Sequence, residues 1–253
     1  MVLRLAAAAI ATVVFLAAIA DAQIAFDVAS VKENTQPAGP SGLRRAPDGA
    51  LRAERMRARF LITIAYGLQP FQLVGAPAWA NETYYDINAK PAPGSATSRD
   101  QMSDMLQALL VERFKLTFHR EARLVDGFAL VQVQRGTLGR DLKASALDCE
   151  KTPALRACAQ GGISGTAFRA SGVPMWSLVQ VVLVPAVNAP VVDETGLSGT
   201  YDVNLRWSND ASPTDDLPSV FTAVQEQLGL RLERRRVSAE MFVVDRLERP
   251  SPD

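Results

Sequence analysis

The sequence predicts an α+β protein made of internally duplicated β-α-β-α-β-β units, with a mostly antiparallel sheet and helices packed on one face. Three observations predict it. First, segments recur at nearly constant offsets. Leu51-Arg52-Ala53 answers Phe168-Arg169-Ala170, Tyr85-Asp86-Ile87-Asn88 answers Tyr201-Asp202-Val203-Asn204, and Glu112-Arg113-Phe114-Lys115-Leu116 answers Glu226-Gln227-Leu228-Gly229-Leu230. Second, each recurrence couples apolar residues at helical spacing to a run of strict alternation, the period of a half-buried strand. Third, each copy offers one apolar sheet face, against which its helix stripes must pack.

The elements follow in order. Residues 1–22 read as a signal peptide: Arg4 precedes an apolar run from Leu5 to Ala20, and Ala20-Asp21-Ala22 has the small-x-small form cleaved before Gln23. The run is shorter than the roughly 20 residues of a membrane-spanning helix, so no span is expected after cleavage. The expected location is the periplasm or the extracellular space. Residues 23–135 form the first repeat, with an added N-terminal strand over Phe26–Val31 and a loop over 33–48. A strand at 50–55 leads into a helix whose stripe is Phe60, Leu61, Ile64, Ala65 and Leu68. Tyr85–Ala89 alternates as a strand. Ser98 with Gln101 fits a capping box before a helix with Met102, Met105, Leu106, Leu109 and Leu110 on one face. Phe114, Leu116 and Phe118 then alternate, and Phe128, Leu130 and Val131 return after Asp126-Gly127, a hairpin signal. Residues 136–165 are a connector. Residues 166–250 repeat the plan: a strand at 166–171, a helix with Trp176, Val179 and Leu183, a strand at 201–205, a helix from near Asp216 carrying Val220, Phe221, Val224 and Leu228, and strands at 228–232 and 241–244. Periodicity leaves open whether the copies form two domains or share a sheet.

Composition narrows the chemistry. Lys and Arg total 27 and Asp and Glu total 27, a balance that argues against nucleic acid as a partner. The arginines at 52, 55, 57 and 59, and at 231, 234, 235 and 236, lie among acids and read as solvated surface. Cys149 and Cys158 are the two cysteines, and in an exported chain they are expected to pair. So short a loop gives about 2–3 kcal/mol by chain entropy, enough to pin a connector. With one histidine and two cysteines the chain lacks donors for a structural zinc site, and no cofactor motif occurs. His119 falls on the wet face of its strand, and a catalytic base would need a nucleophile and an orienting acid beside it. Gly161-Gly162-Ile163-Ser164-Gly165 misses the nucleophile-elbow pattern because Thr166 stands where glycine is required. Asp193-Glu194-Thr195-Gly196 has turn chemistry rather than a calcium loop. Asp86 and Asp202 hold the same place in both copies, which points to a shared structural job such as a bond to a neighbouring turn, since catalytic carboxylates take unequal roles. Trp176 reads as core, while Trp79 in a proline-bearing loop and Trp207 at a strand end are candidate exposed binding aromatics. No catalytic, cofactor-binding or metal residue is assigned. The expected function is a non-enzymatic binding or sensing module of the cell envelope, its partner an envelope protein, peptide or glycan. The alternative is a hydrolase of envelope or extracellular polymers acting through Asp86, Asp202 or Glu121.

Several runs carry a family likeness: Phe26-Asp27-Val28-Ala29-Ser30-Val31-Lys32, Ala65-Tyr66-Gly67, Gly75-Ala76-Pro77-Ala78-Trp79, Tyr85-Asp86-Ile87, Glu112-Arg113-Phe114-Lys115-Leu116, His119-Arg120-Glu121 and the stretch from Pro190 to Asp202. Over nearly the whole mature chain this resembles an exported, soil-associated family of unknown function, expanded in acidobacterial-type bacteria. Similar domains are sometimes fused to antirepressor-type membrane metallopeptidases. The resemblance implies a binding or sensing role and supplies no activity and no catalytic residues.

Overall fold

Alternation of buried and exposed residues builds both outer sheets. In β5 (Tyr84–Lys90), Tyr85, Ile87 and Ala89 point inward while Asp86, Asn88 and Lys90 point out. In β11 (Thr200–Arg206), Tyr201, Val203 and Leu205 point inward while Asp202, Asn204 and Arg206 point out. The computed structural model describes residues 25–36, 38–92, 98–153, 158, 161–208 and 217–251, so the signal peptide expected at 1–22 lies outside the described residues. Helix accounts for 25% and strand for 42%, an α+β fold with several antiparallel sheets.

The first outer sheet joins β1 (Val28–Asn34), β5, β3 (Leu51–Arg57) and β2 (Gly42–Arg45) in that order, every pair antiparallel. The second joins β7 (Leu142–Ala144), β11, β9 (Ala167–Pro174) and β8 (Gly162–Ser164), again antiparallel throughout. Three short edge strands, β2, β7 and β8, fall in stretches expected to be loop and connector. They are too short to show alternation, and they form by adding hydrogen bonds to an edge already made.

A third sheet runs between the two. Its centre is a long antiparallel ribbon of β6 (Thr117–Gln132) and β12 (Leu230–Arg246). Two short parallel strands flank it: β4 (Leu73–Val74) beside Phe242–Val243, and β10 (Val191–Asp193) beside Phe128–Leu130. The hairpin expected at Asp126-Gly127 is therefore absent, and β6 runs straight through that dipeptide. Glycine is there for close approach, not for a turn. A Cβ on Gly127 would lie 2.6 Å from the carbonyl oxygen of Pro190 and 2.6 Å from a methyl of Val237. The bare backbone lets β10 come in, with Phe128 N donating to Pro190 O at 2.9 Å.

Helix stripes close two cores. α1 (Ala58–Ala65) and α3 (Arg99–Phe114) cover the first sheet with Leu61, Ile62, Leu106, Leu109, Leu110 and Phe114. The expected capping box starts α3: Ser98 Oγ accepts from Gln101 N at 3.2 Å, and Ser98 N donates to Gln101 Oε1 at 2.8 Å. A four-residue helix, α2 (Trp79–Glu82), precedes β5. On the second sheet, α4 (Met175–Ser177) continues through a π-helical stretch, Leu178–Leu183, into α5 (Val184–Val187). Pro185 has no N–H for the preceding turn, and the wider π turn accommodates that loss. α6 (Val220–Leu228) begins later than expected, with Ser219 as its cap. The ribbon serves both cores. Phe242 and Val244 pack into the first, and Leu130 and Leu230 into the second. Boundaries drawn at residues 135 and 166 therefore do not separate the cores.

Each of two stripes is off at its first residue, while Leu61 and Ala65 in α1 and Val179 and Leu183 in its counterpart are buried as expected. Phe60 and Trp176 are about half exposed, because α1 buries Ala58, Leu61, Ile62 and Ala65, and its counterpart buries Met175, Leu178, Val179 and Val182. Large apolar side chains mark a helix, but they do not by themselves say which face is inside.

Candidate functional site

The two strand aspartates do matching work. Each outer sheet has a bulge where the register between its two central strands shifts. In the first sheet the bulge residue is Arg55, at φ 49°, and its N–H donates to Asp86 Oδ1 at 2.9 Å. In the second it is Gly172, at φ 63°, and its N–H donates to Asp202 Oδ1 at 3.0 Å. An alternating strand holds the carboxylate outward, next to the one backbone donor that the bulge leaves without a ladder partner. Asn34 Nδ2 donates to Asp86 as well, at 2.9 and 3.0 Å to its two oxygens.

The remaining sites expected from the sequence do not converge on chemistry. Asp86, Glu121 and Asp202 lie on three different sheets. His119 Nδ1 is 2.8 Å from Asp245 Oδ1, an orienting contact of the kind a base needs, but its Nε2 faces Glu121 at 3.8 Å rather than a hydroxyl or thiol. Glu121 is itself held by Arg123. Trp207 is 7% exposed and sealed into the second core, correcting its reading as an exposed aromatic. It continues the inward series of Tyr201, Val203 and Leu205 at period two, and Thr166 O accepts from its N–H at 3.0 Å. Trp79 is partly buried, edge-on to Tyr85 with centroids 6.3 Å apart and capped by Arg249 at 5.2 Å. Cys149 and Cys158 are joined in a disulfide, Cα to Cα 5.4 Å. Among the described residues no group of three or more His, Cys, Asp or Glu could hold a metal ion.

The built feature is a groove on the outer face of the second sheet. A hollow of about 340 Å³ is lined by Arg140, Lys143, Arg169, Ser171, Asp202 and Asn204, among others. It shares Arg140, Asp141 and Asn204 with a second hollow, of about 360 Å³, which reaches Arg206, Pro218 and Gln227. Each wall has a structural reason. Residues 139–141 are tied to the C-terminal end of α6, where Gly139 N donates to Leu228 O at 2.8 Å and Asp141 N to Gln227 O at 3.0 Å. Asn204 N then donates to Asp141 O at 3.0 Å. The Gln227 side chain spans Arg206, accepting from its N–H at 2.9 Å and donating to its carbonyl at 2.8 Å. At the other end the cysteine-bearing connector lies across the bulge, with Cys149 N donating to Gly172 O at 3.0 Å. A Cβ on Gly172 would sit 2.8 Å from Leu147 Cβ and 3.0 Å from Cys149 Sγ. Beside this bulge, in the connector, the Lys151 ammonium holds the Asp148 carboxyl below the usual carboxylate range.

The groove carries charges of both signs, with Arg140, Lys143, Arg169 and Arg206 lining it beside Asp141, Asp202 and Glu226. Arg140 leans on Asp141 at 3.0 Å, but Lys143, Arg169 and Arg206 have no carboxylate partner among the described residues. A larger hollow of about 550 Å³ lies beside Gly127, Phe128 and Ala189. There Arg235 is held by Glu194 and Glu233, and Arg236 lies 3.6 Å from Asp126. Free guanidinium and ammonium groups bind anions. Sequence reading missed the groove because its residues come from β7, β9 and β11 and the 139–141 segment. Only the cross-strand register brings Lys143 opposite Asp202 and Arg169 opposite Asn204.

Residues 59–247 match the model of a family described as a protein of unknown function (DUF3738). No curated protein and no solved structure matches the chain. No helix among the described residues is long and apolar enough to cross a membrane.

Proposed function

The chain belongs to the DUF3738 family of unknown function, which carries no activity over to it, and from that premise we propose that it is a non-enzymatic binding module of the cell envelope whose ligand lies in the groove on the second outer sheet. The observation that carries this reading is the row of Lys143, Arg169 and Arg206 lining two adjoining hollows together with Asp141, Asp202 and Glu226, none of the three cations being in an ion pair among the described residues. The disulfide is compatible with an exported protein. On this reading residues 1–22 are a cleaved signal peptide and the mature chain works in the periplasm or outside the cell. The family is the exported, soil-associated one that the sequence resembles, and its fusion to membrane metallopeptidases accords with a sensing role. The two halves are copies of one unit. Supporting this are the shared strand order of the outer sheets, the Asp86 and Asp202 bonds to their bulges, and the placement of Phe128 and Phe242 beside β10 and β4.

The test is retention with a turnover assay beside it. Immobilised oxidised mature chain is exposed to an envelope extract, in parallel with the doubly substituted Lys143→Gln, Arg169→Gln protein. The expected result is a component held by the unsubstituted protein, released by salt and absent from the variant. Equal retention by both proteins contradicts the groove. Turnover of any polysaccharide, ester or peptide substrate that Asp202→Asn or Glu121→Gln abolishes contradicts the non-enzymatic reading.

A further inference from the structure

The outer edge of a sheet presents backbone groups that recruit further strands, and folds keep such edges short or covered. Most edges of this molecule obey that rule. β2, β4, β7, β8 and β10 are two to four residues long, and on β1 the Arg113 side chain donates to Ala29 O at 3.0 Å. The central ribbon does not obey it. β10 covers β6 only at Phe128–Leu130, and β4 covers β12 only at Phe242–Val243.

The register fixes where the uncovered backbone groups point. Phe128 N donates to Pro190 O, and Leu130 O accepts from Glu194 N. Even-numbered residues of β6 therefore turn their N–H and C=O away from β12. The β6–β12 register runs without a shift from Phe118 to Gln132, so the same holds for Arg120, Ala122, Leu124 and Asp126. These four are exposed, Leu124 at 65%. They form an open edge over 118–126 that contains no proline. The Arg236 guanidinium caps one acceptor on it, Leu124 O, at 2.6 Å.

Charge selects the occupant. Two copies related by a twofold axis lay one β6 edge antiparallel on the other, with even residues facing even residues so that the backbone groups meet. An axis at Ala122 uses the whole open edge, since 118 then faces 126. It sets Glu121 against Arg123 of the second copy, twice over, and brings no like charges face to face. The N–H of Arg120 of the second copy takes the place of the Arg236 guanidinium on Leu124 O, and exposed Leu124 gains a diagonal neighbour in Ala122 of the second copy. An axis at Arg120, Glu121 or Arg123 sets like charges against each other, and an axis at Leu124 runs Arg120 onto Phe128, whose edge β10 already holds. The matching stretch of β12 has Arg234, Arg235 and Arg236 at its middle, and an axis at any of them sets arginine against arginine.

We infer that β6 pairs edge to edge with β6 of a second copy, antiparallel about Ala122, to give a symmetric dimer. The interface lies on the ribbon and uses no residue of the groove on the second outer sheet, so it stands or falls independently of the ligand proposed there.

Sedimentation velocity of the oxidised protein over a concentration series tests this, with thermal melts beside it. The expected result is a dimer whose fraction rises with concentration. Ala122→Pro removes an N–H that faces solvent in the single chain and the second copy in the dimer. It is expected to melt as the parent does and to sediment as a monomer. Ser238→Pro makes the same change on the equivalent edge of β12 and is expected to keep the dimer. At the axis the two residues 122 lie about 5.5 Å apart between Cα atoms, within disulfide range. Ala122→Cys is therefore expected to give a covalent dimer on mild oxidation, and Ser238→Cys is not. Glu121→Arg is expected to weaken dimerisation about tenfold by facing Arg123, and adding Arg123→Glu to restore it. These cysteine and charge-swap variants decide the matter if Ala122→Pro lowers the melt. A protein that stays monomeric up to about 100 μM, a dimer that survives a folded Ala122→Pro, equal crosslinking through residues 122 and 238, or a charge swap that fails to restore the dimer overturns the inference.

Discussion

Asp86 and Asp202 show how a repeated acidic residue can be structural. Each satisfies a bulge N–H that the ladder leaves over. Asp202→Ala removes the acceptor of a part-buried donor and is expected to cost about 1–3 kcal/mol in urea unfolding. Asp86→Ala is expected to cost at least as much, since Asn34 loses its partner too. An unchanged midpoint in either variant would contradict the assigned role. Gly172→Ala meets both a left-handed backbone and the cysteine-bearing loop, and is expected to destabilise by about 1–3 kcal/mol. Glu233 offers a check by pH. Hydrogen bonds from Arg235 and then Arg231 hold its carboxyl below the usual carboxylate range. A depressed carboxylate contributes its share of stability above the unfolded-state value and loses it only as pH falls through the lower folded-state value. An NMR titration of the Glu233 side chain should therefore show ionisation persisting below the ordinary range, and an ordinary titration would show that the arginine contacts are not held in solution.

At the scale of elements, local signals were legible wherever local physics decides. The capping box of α3 and the alternation of β5 and β11 followed from spacing alone. Ser98→Ala is expected to cost about 1 kcal/mol, read as a lower melting temperature, with the loss absent if the cap does not form. What was not legible depends on distant partners. Asp126-Gly127 reads as a turn by composition, but Gly127 makes room for Pro190, more than sixty residues later in the chain. The edge strands β2, β7 and β8 exist only because a neighbour offers an unpaired edge. Trp207 was within reach of the period-two rule, had the series from Tyr201 been carried one step further. The groove was beyond reach, because cross-strand register is not written in any one segment.

At the scale of the molecule, the ribbon makes the halves depend on each other. Phe242 is in the last strand of the second half, yet it is buried among first-half residues and stacks on Phe118 with centroids 3.8 Å apart. Phe242→Ala is expected to cost about 3–5 kcal/mol, and hydrogen exchange should quicken in α1, α3 and β5 more than in β9, β11 and α6. Faster exchange confined to the second half would show that the ribbon does not cross. The same architecture sets two matching faces on one scaffold, and the proposed groove lies on the second. The most direct measurement of that placement is an amide chemical-shift map of the oxidised protein titrated with the component it retains from envelope extract. Shifts confined to 140–143, 169–172 and 202–206 are the expected result. Shifts of equal size at 30–32, 52 and 86–90, or shifts centred on His119, would contradict it.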